Sequence, residues 1–220
     1  MNPRELFGII PEEQAKTLSG LKVHQCLSIA AACAERQMLA YKRFNEITGK
    51  GSFLLARKEL DQFWSAAGSG PSRRTNLPVE ESRRALDRTV SPPEIPGRGE
   101  GAFLQPHALW TTWTLISCVD VVSKTPPQDG ALSAMRYARD SVSQYVQCSS
   151  AKLQSLAEED IRLAAREARR DEHFTREVAR ELADIEDVRR GLDVEELKAR
   201  AARDASTFIS FPVKYILPRR

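Results

Sequence analysis

The chain has 220 residues, 41% of them hydrophobic and 29% charged, with a mean hydropathy of −0.42. That length suits one medium domain with a substantial core, and the composition excludes a wholly disordered chain and an integral membrane protein. Lys and Arg number 33 against 30 Asp and Glu, and the resulting +3 is too slight to call for nucleic acid or an anionic membrane.

The first persuasive element opens near Ser19 and Gly20 and stops at Gly49, a residue suited to the left-handed turn after a helix. Val23, Leu27, Ala30, Ala34, Met38, Tyr41 and Ile47 form its apolar stripe. The run from Ala30 to Ala34 is small on every side, so neighbours can approach from several directions and the helix reads as central. Ser52 then caps a second helix carrying Phe53, Ala56, Leu60, Phe63, Trp64 and Ala67 and ending at Gly68. The short connection makes the pair antiparallel. Residues 68–105 change character, with a short helical candidate at Pro78 to Arg88. Ser91 to Gly101 holds three prolines and three glycines in eleven residues, which predicts a flexible or irregular insertion.

Helical pattern resumes at Pro106 and runs to Lys124, with Trp110, Trp113, Ile116 and Val119 at helical intervals. Thr and Val are frequent enough for a strand to compete over Leu115 to Val122, and length decides for helix. Thr125 to Gly130 reads as a turn, leading to a helix with Leu132, Met135, Val142, Tyr145 and Val146. No glycine or proline interrupts Ser149 to Arg190, where Leu153, Leu156, Ile161 and Ala164 are followed by Phe174, Val178, Leu182, Ile185 and Val188. The stripe changes phase near Arg170 and Asp171, the natural place for a break. Gly191 is a stop and Asp193 caps a last helix through Ala205. The tail is too apolar to be a free end, and Phe208, Phe211, Tyr215, Ile216 and Leu217 are expected to pack back. The fold class is all-α, a single multi-helix bundle-like domain over residues 1–220.

Chemistry is sparser. Cys26, Cys33, Cys118 and Cys148 contain no CxxC pair and read as small buried hydrophobes. The acidic residues Glu5, Glu12 and Glu13 break any secretory signal, so the expected compartment is the cytoplasm. The apolar runs Cys26 to Ala34 and Ala108 to Val122 fall short of the roughly 18 residues of a membrane span, so no membrane partner is expected. There are three histidines, His24, His107 and His173. His24 and Cys26 point apart on a helix, and Arg170 occupies the position where a Glu-x-x-His pair ending at His173 would need its Glu. Gly97 to Gly101 lacks the Lys-Ser/Thr of a phosphate loop, and no serine sits in a nucleophile elbow. No catalytic residue, cofactor or metal is assigned. From Pro71 to Glu100 six basic residues meet five acidic ones without aromatics, which argues against nucleic acid.

Charge is uneven along the chain. Ala151 to Asp204 holds twelve Lys or Arg and fifteen Asp or Glu, a local −3, which leaves +6 for the rest. Glu158, Glu159, Asp160, Glu181, Asp184, Glu186 and Asp187 are therefore the candidate partner-binding residues. They read as a solvated face laced by ion pairs, for example Asp184 with Arg189 and Arg190, or as a negative docking strip for a basic protein.

The segment Leu27 to Gly51, with Leu60, Asp61 and Trp64, resembles the start of the YjaG-like family of bacterial all-helical proteins of unknown function. The residues that carry the resemblance are Cys33, Glu35, Arg36, Tyr41, Phe44, Thr48, Gly49, Leu60, Asp61 and Trp64. Arg180 to Leu197 looks more loosely like that family's C-terminal helices, and residues 68–105 depart from it. The alanine-rich helical style is also similar to that of all-α immunity proteins of polymorphic toxin systems, which bind a toxin and have no catalytic residues of their own. That resemblance implies a non-catalytic protein that neutralises a cognate, basic toxin domain. The alternative is a housekeeping helical adaptor or regulator, homo-oligomeric through its tail aromatics. Glu35 and Arg36 are expected to form an ion pair that positions the first helix.

Overall fold

In the structure, a computed structural model, residues 16–70, 77–89 and 100–205 are described, without the side chains at 100–102, 148, 149, 151, 154, 158, 161 and 162. Every element with assigned bounds in them is a helix: α1 (Val23–Thr48), α2 (Phe53–Gly68), α3 (Val79–Asp87), α4 (Glu100–Ser123), α5 (Pro127–Ser149), α6 (Ala151–Glu159), α7 (Ile161–Ala168), α8 (Glu172–Arg190) and α9 (Val194–Ala205). The all-α expectation holds among the described residues, and the strand competitor over Leu115 to Val122 is helix.

The central position of α1 follows from its small residues. Ala30, Ala31, Ala32, Cys33 and Ala34 are all 0% exposed, and α1 touches α2, α4, α5, α8 and α9. Without bulky side chains at mid-length, several helix axes approach it closely. Its end is set by Gly49 at φ 65°, the left-handed closure expected from the sequence. Ser52 accepts from Leu55 N at the start of α2, as a capping serine should.

The helix α4 is apolar nearly all round, and its threonines and serines turn their hydroxyls back along it. Thr111, Thr112, Thr114 and Ser117 donate to carbonyls one turn earlier, at 2.7 to 3.0 Å. Those bonds satisfy hydroxyls that would otherwise be buried without partners, so a threonine-rich segment stays helical between α1 and α5. The helix begins at Glu100, six residues before the expected start. Pro106 therefore lies inside it, at the cost of one backbone bond. Pro127 occupies the first turn of α5, where the missing N–H has no partner to lose. Residues 127–130, read as turn, are thus helical.

In the middle of the chain the short helix expected at Pro78 to Arg88 is present as α3. Ser82 and Leu86 of α3 are buried, and Arg83 pairs with Asp120 of α4. The long C-terminal stretch divides twice. The break near Arg170 and Asp171 is present, with the Asp171 carboxylate accepting from His173 N at 2.8 Å. A second break falls at Asp160, whose backbone is extended and whose carboxylate accepts from Leu163 N at 3.1 Å. An aspartate offering its own oxygen to the backbone starts a new helix without glycine or proline.

Most buried apolar side chains join one cluster from Leu18 to Ala201. A smaller cluster gathers Val142, Tyr145, Val146, Leu153 and Ala168 under Phe103, Leu156 and Phe174. Cys26, Cys33 and Cys118 are buried and free, as read, while the side chain of Cys148 lies outside the described residues. The expected packing of Phe208, Phe211, Tyr215, Ile216 and Leu217 also lies outside them. No helix among the described residues is long and apolar enough to cross a membrane.

Candidate functional site

On α8 the spacing of four and three residues puts Glu177, Glu181, Asp184 and Val188 on one side. That side faces the interior: Glu177 is 1% exposed, Glu181 0% and Asp184 2%. Three arginines from three other helices meet these carboxylates. Arg36 of α1 donates from Nε to Glu177 Oε1 at 2.9 Å and from Nη1 to Asp184 Oδ2 at 2.6 Å. Arg200 of α9 donates from Nη2 to the other Asp184 oxygen at 2.7 Å and also pairs with Asp187. Arg139 of α5 places both Nε, at 2.6 Å, and Nη2 on Glu181 Oε2.

Two of the expected partner-binding residues are therefore not on a surface strip. Glu181 and Asp184 point inward because arginines remote in sequence hydrogen-bond them there, and the local charge count could not register those arginines. The apolar stripe shifts accordingly: Leu182, expected on the buried side, is 42% exposed. Of the remaining candidates, Glu186 is exposed and holds Arg190 at 2.8 Å, and Asp187 is half-buried on Arg200. Glu159 and Asp160 are exposed at the α6–α7 junction, and the Glu158 side chain lies outside the described residues. Asp184 pairs with neither Arg189 nor Arg190 in the bonds the structure shows.

Glu35 and Arg36 are both buried but do not pair with each other. Adjacent positions on a helix diverge by about 100°. Glu35 turns to α2, accepting from Arg57 Nη1 at 2.6 Å and from the Trp64 indole at 2.9 Å, while Arg36 turns to α8. The central helix is thus tied on two sides by charges of opposite sign. Arg139, Arg200 and Glu177 escaped the sequence reading, which gave Arg36 a different partner, Glu35. The available signal was three acids of α8 falling in step with Ile185 and Val188.

Burial sets the electrostatics here. It pushes the Glu181 carboxyl up to about 8; Arg139 pulls the other way and Glu177 adds to the rise. It also pushes Asp140, beside Arg136, Arg169 and Arg139, up to about 7. Burial disfavours the charged Arg36 guanidinium, yet Glu177 and Asp184 outweigh it and raise its pKa. Glu181 Oε1 is buried with no hydrogen-bond partner, so this carboxyl is held from one oxygen only. The thiols of Cys33 and Cys118 are pushed up by burial, and Cys26 to about 12, which keeps all three protonated and unreactive near neutral pH.

A serine and a histidine do meet, 34 residues apart in sequence. His107 Nδ1 lies 2.9 Å from Ser141 Oγ, each residue being 2% exposed. Phe103 and Tyr145 flank the imidazole at 5.4 and 5.8 Å. Burial lowers His107 to about 4, so it stays neutral and is a poor proton acceptor at pH 7. The pair joins α4 to α5 within a sealed aromatic layer. Among the described residues, no group of three or more His, Cys, Asp or Glu side chains is placed to hold a metal ion.

No family model matches the chain, and no curated protein matches it significantly. Among solved structures it is similar to the crystal structure of a DUF416 family protein from Shewanella baltica OS155, with a TM-score of 0.67. The similarity covers 88% of this chain and 93% of that one at 13% sequence identity. It shows a shared helical fold with a bacterial protein.

Proposed function

We propose that the chain is a non-catalytic, cytoplasmic protein-binding protein of the YjaG-like kind, whose task is to neutralise a cognate bacterial toxin by direct contact. The observation that supports the reading is the two-sided build of α8. Its inner carboxylates are fastened to Arg36, Arg139 and Arg200 on three other helices, so the helix meets a partner already ordered. Its outer face carries Leu182, 42% exposed, with exposed Ala179, Ala183 and Glu186 around it. An apolar centre with a charged edge is the composition of a docking patch. Because Glu186 and Asp187 already hold arginines, a basic partner competes with them for those acids, and Leu182 carries the contact.

Co-expression in bacteria with the product of a toxic reading frame beside the gene tests this. Wild type restores growth, Leu182→Asp abolishes protection, and Glu159→Lys, on another element, retains it. The lack of a toxic neighbour, or protection that survives Leu182→Asp, rejects the reading. Self-association that is lost in Phe211→Asp supports the homo-oligomeric adaptor instead.

A further inference from the structure

The corner between α1 and α2 is built unlike a solvated helix face. Leu54, in the first turn of α2, is 80% exposed beside half-buried Phe53, and Ile47 at the end of α1 is 38% exposed. Behind Phe53 lies a depression of about 180 Å³, walled by Met38, Leu39 and Ala205 with Lys42 and Arg57 also lining it. A shallower groove of about 550 Å³ continues along α2 from Leu54 to Ser65 and shares Arg57 with the first. The depression joins α1, α2 and α9, so its walls are fixed by three helices.

The charges around it are unequally committed. Both carboxylates that border the two hollows, Glu35 and Asp61, are occupied. Arg57 bonds Glu35 at 2.6 Å and Asp61 at 2.6 and 3.1 Å, and Lys198 adds a bond to Asp61 at 3.2 Å. Lys58 is exposed with no ion-pair partner among the described residues. The Lys42 ammonium stands 5.9 Å from the centre of the Phe53 ring and is loosely paired with Glu46, at 3.8 Å. Satisfied acids, a loosely paired Lys42 and an unpaired Lys58 leave a positive rim around an apolar hollow. Such a rim favours a partner of opposite sign.

We propose that this corner docks an acidic peptide segment of a partner protein. One aromatic or long aliphatic side chain of that segment enters the depression beside Phe53, while flanking Asp or Glu residues meet Lys42 and Lys58. A hollow that admits one apolar side chain, with charges placed outside it, is how short peptides are recognised. A lipid surface fits less well, because the outward side of α2 carries Arg57, Asp61, Gln62 and Ser65 instead of a continuous apolar face. The site is separate from the outer face of α8 and stands or falls independently of it.

Selection of a random peptide phage library on the full chain tests the proposal, followed by anisotropy titration of the best labelled peptide. The selected peptides are expected to share an aromatic or Leu residue flanked by Asp or Glu. Leu54→Asp and Lys58→Glu should each weaken the peptide by about tenfold or more, whereas Leu182→Asp leaves it unchanged. Binding should also weaken as salt rises from about 0.05 to about 0.5 M. Both corner residues are exposed, so thermal melts of the variants should match wild type and separate lost binding from lost folding. Selected peptides without acidic residues, equal binding by the two corner variants, or capture by phosphatidylserine vesicles in place of peptides would overturn the proposal.

Discussion

Glu181 shows how a single buried carboxyl couples folding to pH. In the folded chain it keeps its proton up to about pH 8, whereas its ordinary value is 4.5. Between those values the folded state binds more protons than the unfolded one, so stability falls as pH rises through this window and levels off above it. Asp140 adds a fall of the same sign between 3.8 and about 7. Glu181→Gln cannot ionise and is expected to remove most of the fall between pH 7 and 8 and part of the fall below it. Urea unfolding at about pH 5, 7 and 9 reads this as a flatter profile than wild type; an unchanged profile would mean that Glu181 ionises as freely folded as unfolded. At this scale the sequence was only partly legible. The burial of Cys26, Cys33 and Cys118 followed from their apolar surroundings, but the partners of Glu35, Arg36 and Asp184 did not. A buried charge depends on a partner from a remote element, as Arg36 and Glu177 do across 141 residues.

Among the elements, the legible features were those with local causes. The stop at Gly49, the caps at Ser52 and Asp193, and the break at Asp171 each rest on one residue satisfying a nearby backbone group. The sequence marks no break at Asp160, since neither glycine nor proline stands there, although an aspartate serves as well. The start of α4 was misplaced because Pro106 read as a beginning. The contact between α4 and α5 was invisible for another reason, since it rests on the lack of a side chain. A Cβ at Gly130 would stand 2.5 Å from Val121 N and 2.9 Å from Ser117 O, both in the backbone of α4. Backbone cannot yield as a flexible side chain can, so Gly130→Ala is expected to cost about 1–3 kcal/mol by forcing the helices apart. A thermal melt indistinguishable from wild type would show that the two helices are not so closely packed.

For the molecule as a whole, the net charge of +3 is the sum of unequal parts, and the structure gives the division a physical sense. The acidic C-terminal third does not simply present its excess to solvent. Through α8 it sends three acidic side chains inward, to arginines that belong to the positive remainder and to α9. A buried layer of acids and arginines of this kind adds little net stability compared with apolar packing, but it is costly to break and it fixes which helix faces which. The all-helical class and the central place of α1 were readable from periodicity and small residues. The inward turn of α8 was not, because acids on a charged helix read as surface until their partners are known.

The most direct measurement of that division compares Asp184→Ala with Glu186→Ala, two residues apart on one helix and identical in charge change. If α8 is anchored by buried carboxylates, Asp184→Ala leaves Arg36 with Glu177 alone and Arg200 with Asp187 alone, and lowers the unfolding free energy by about 3 kcal/mol. Glu186→Ala, which removes an exposed pair with Arg190, changes it by about 1 kcal/mol or less. Equal and small losses in the two variants would contradict the account and return Asp184 to the surface.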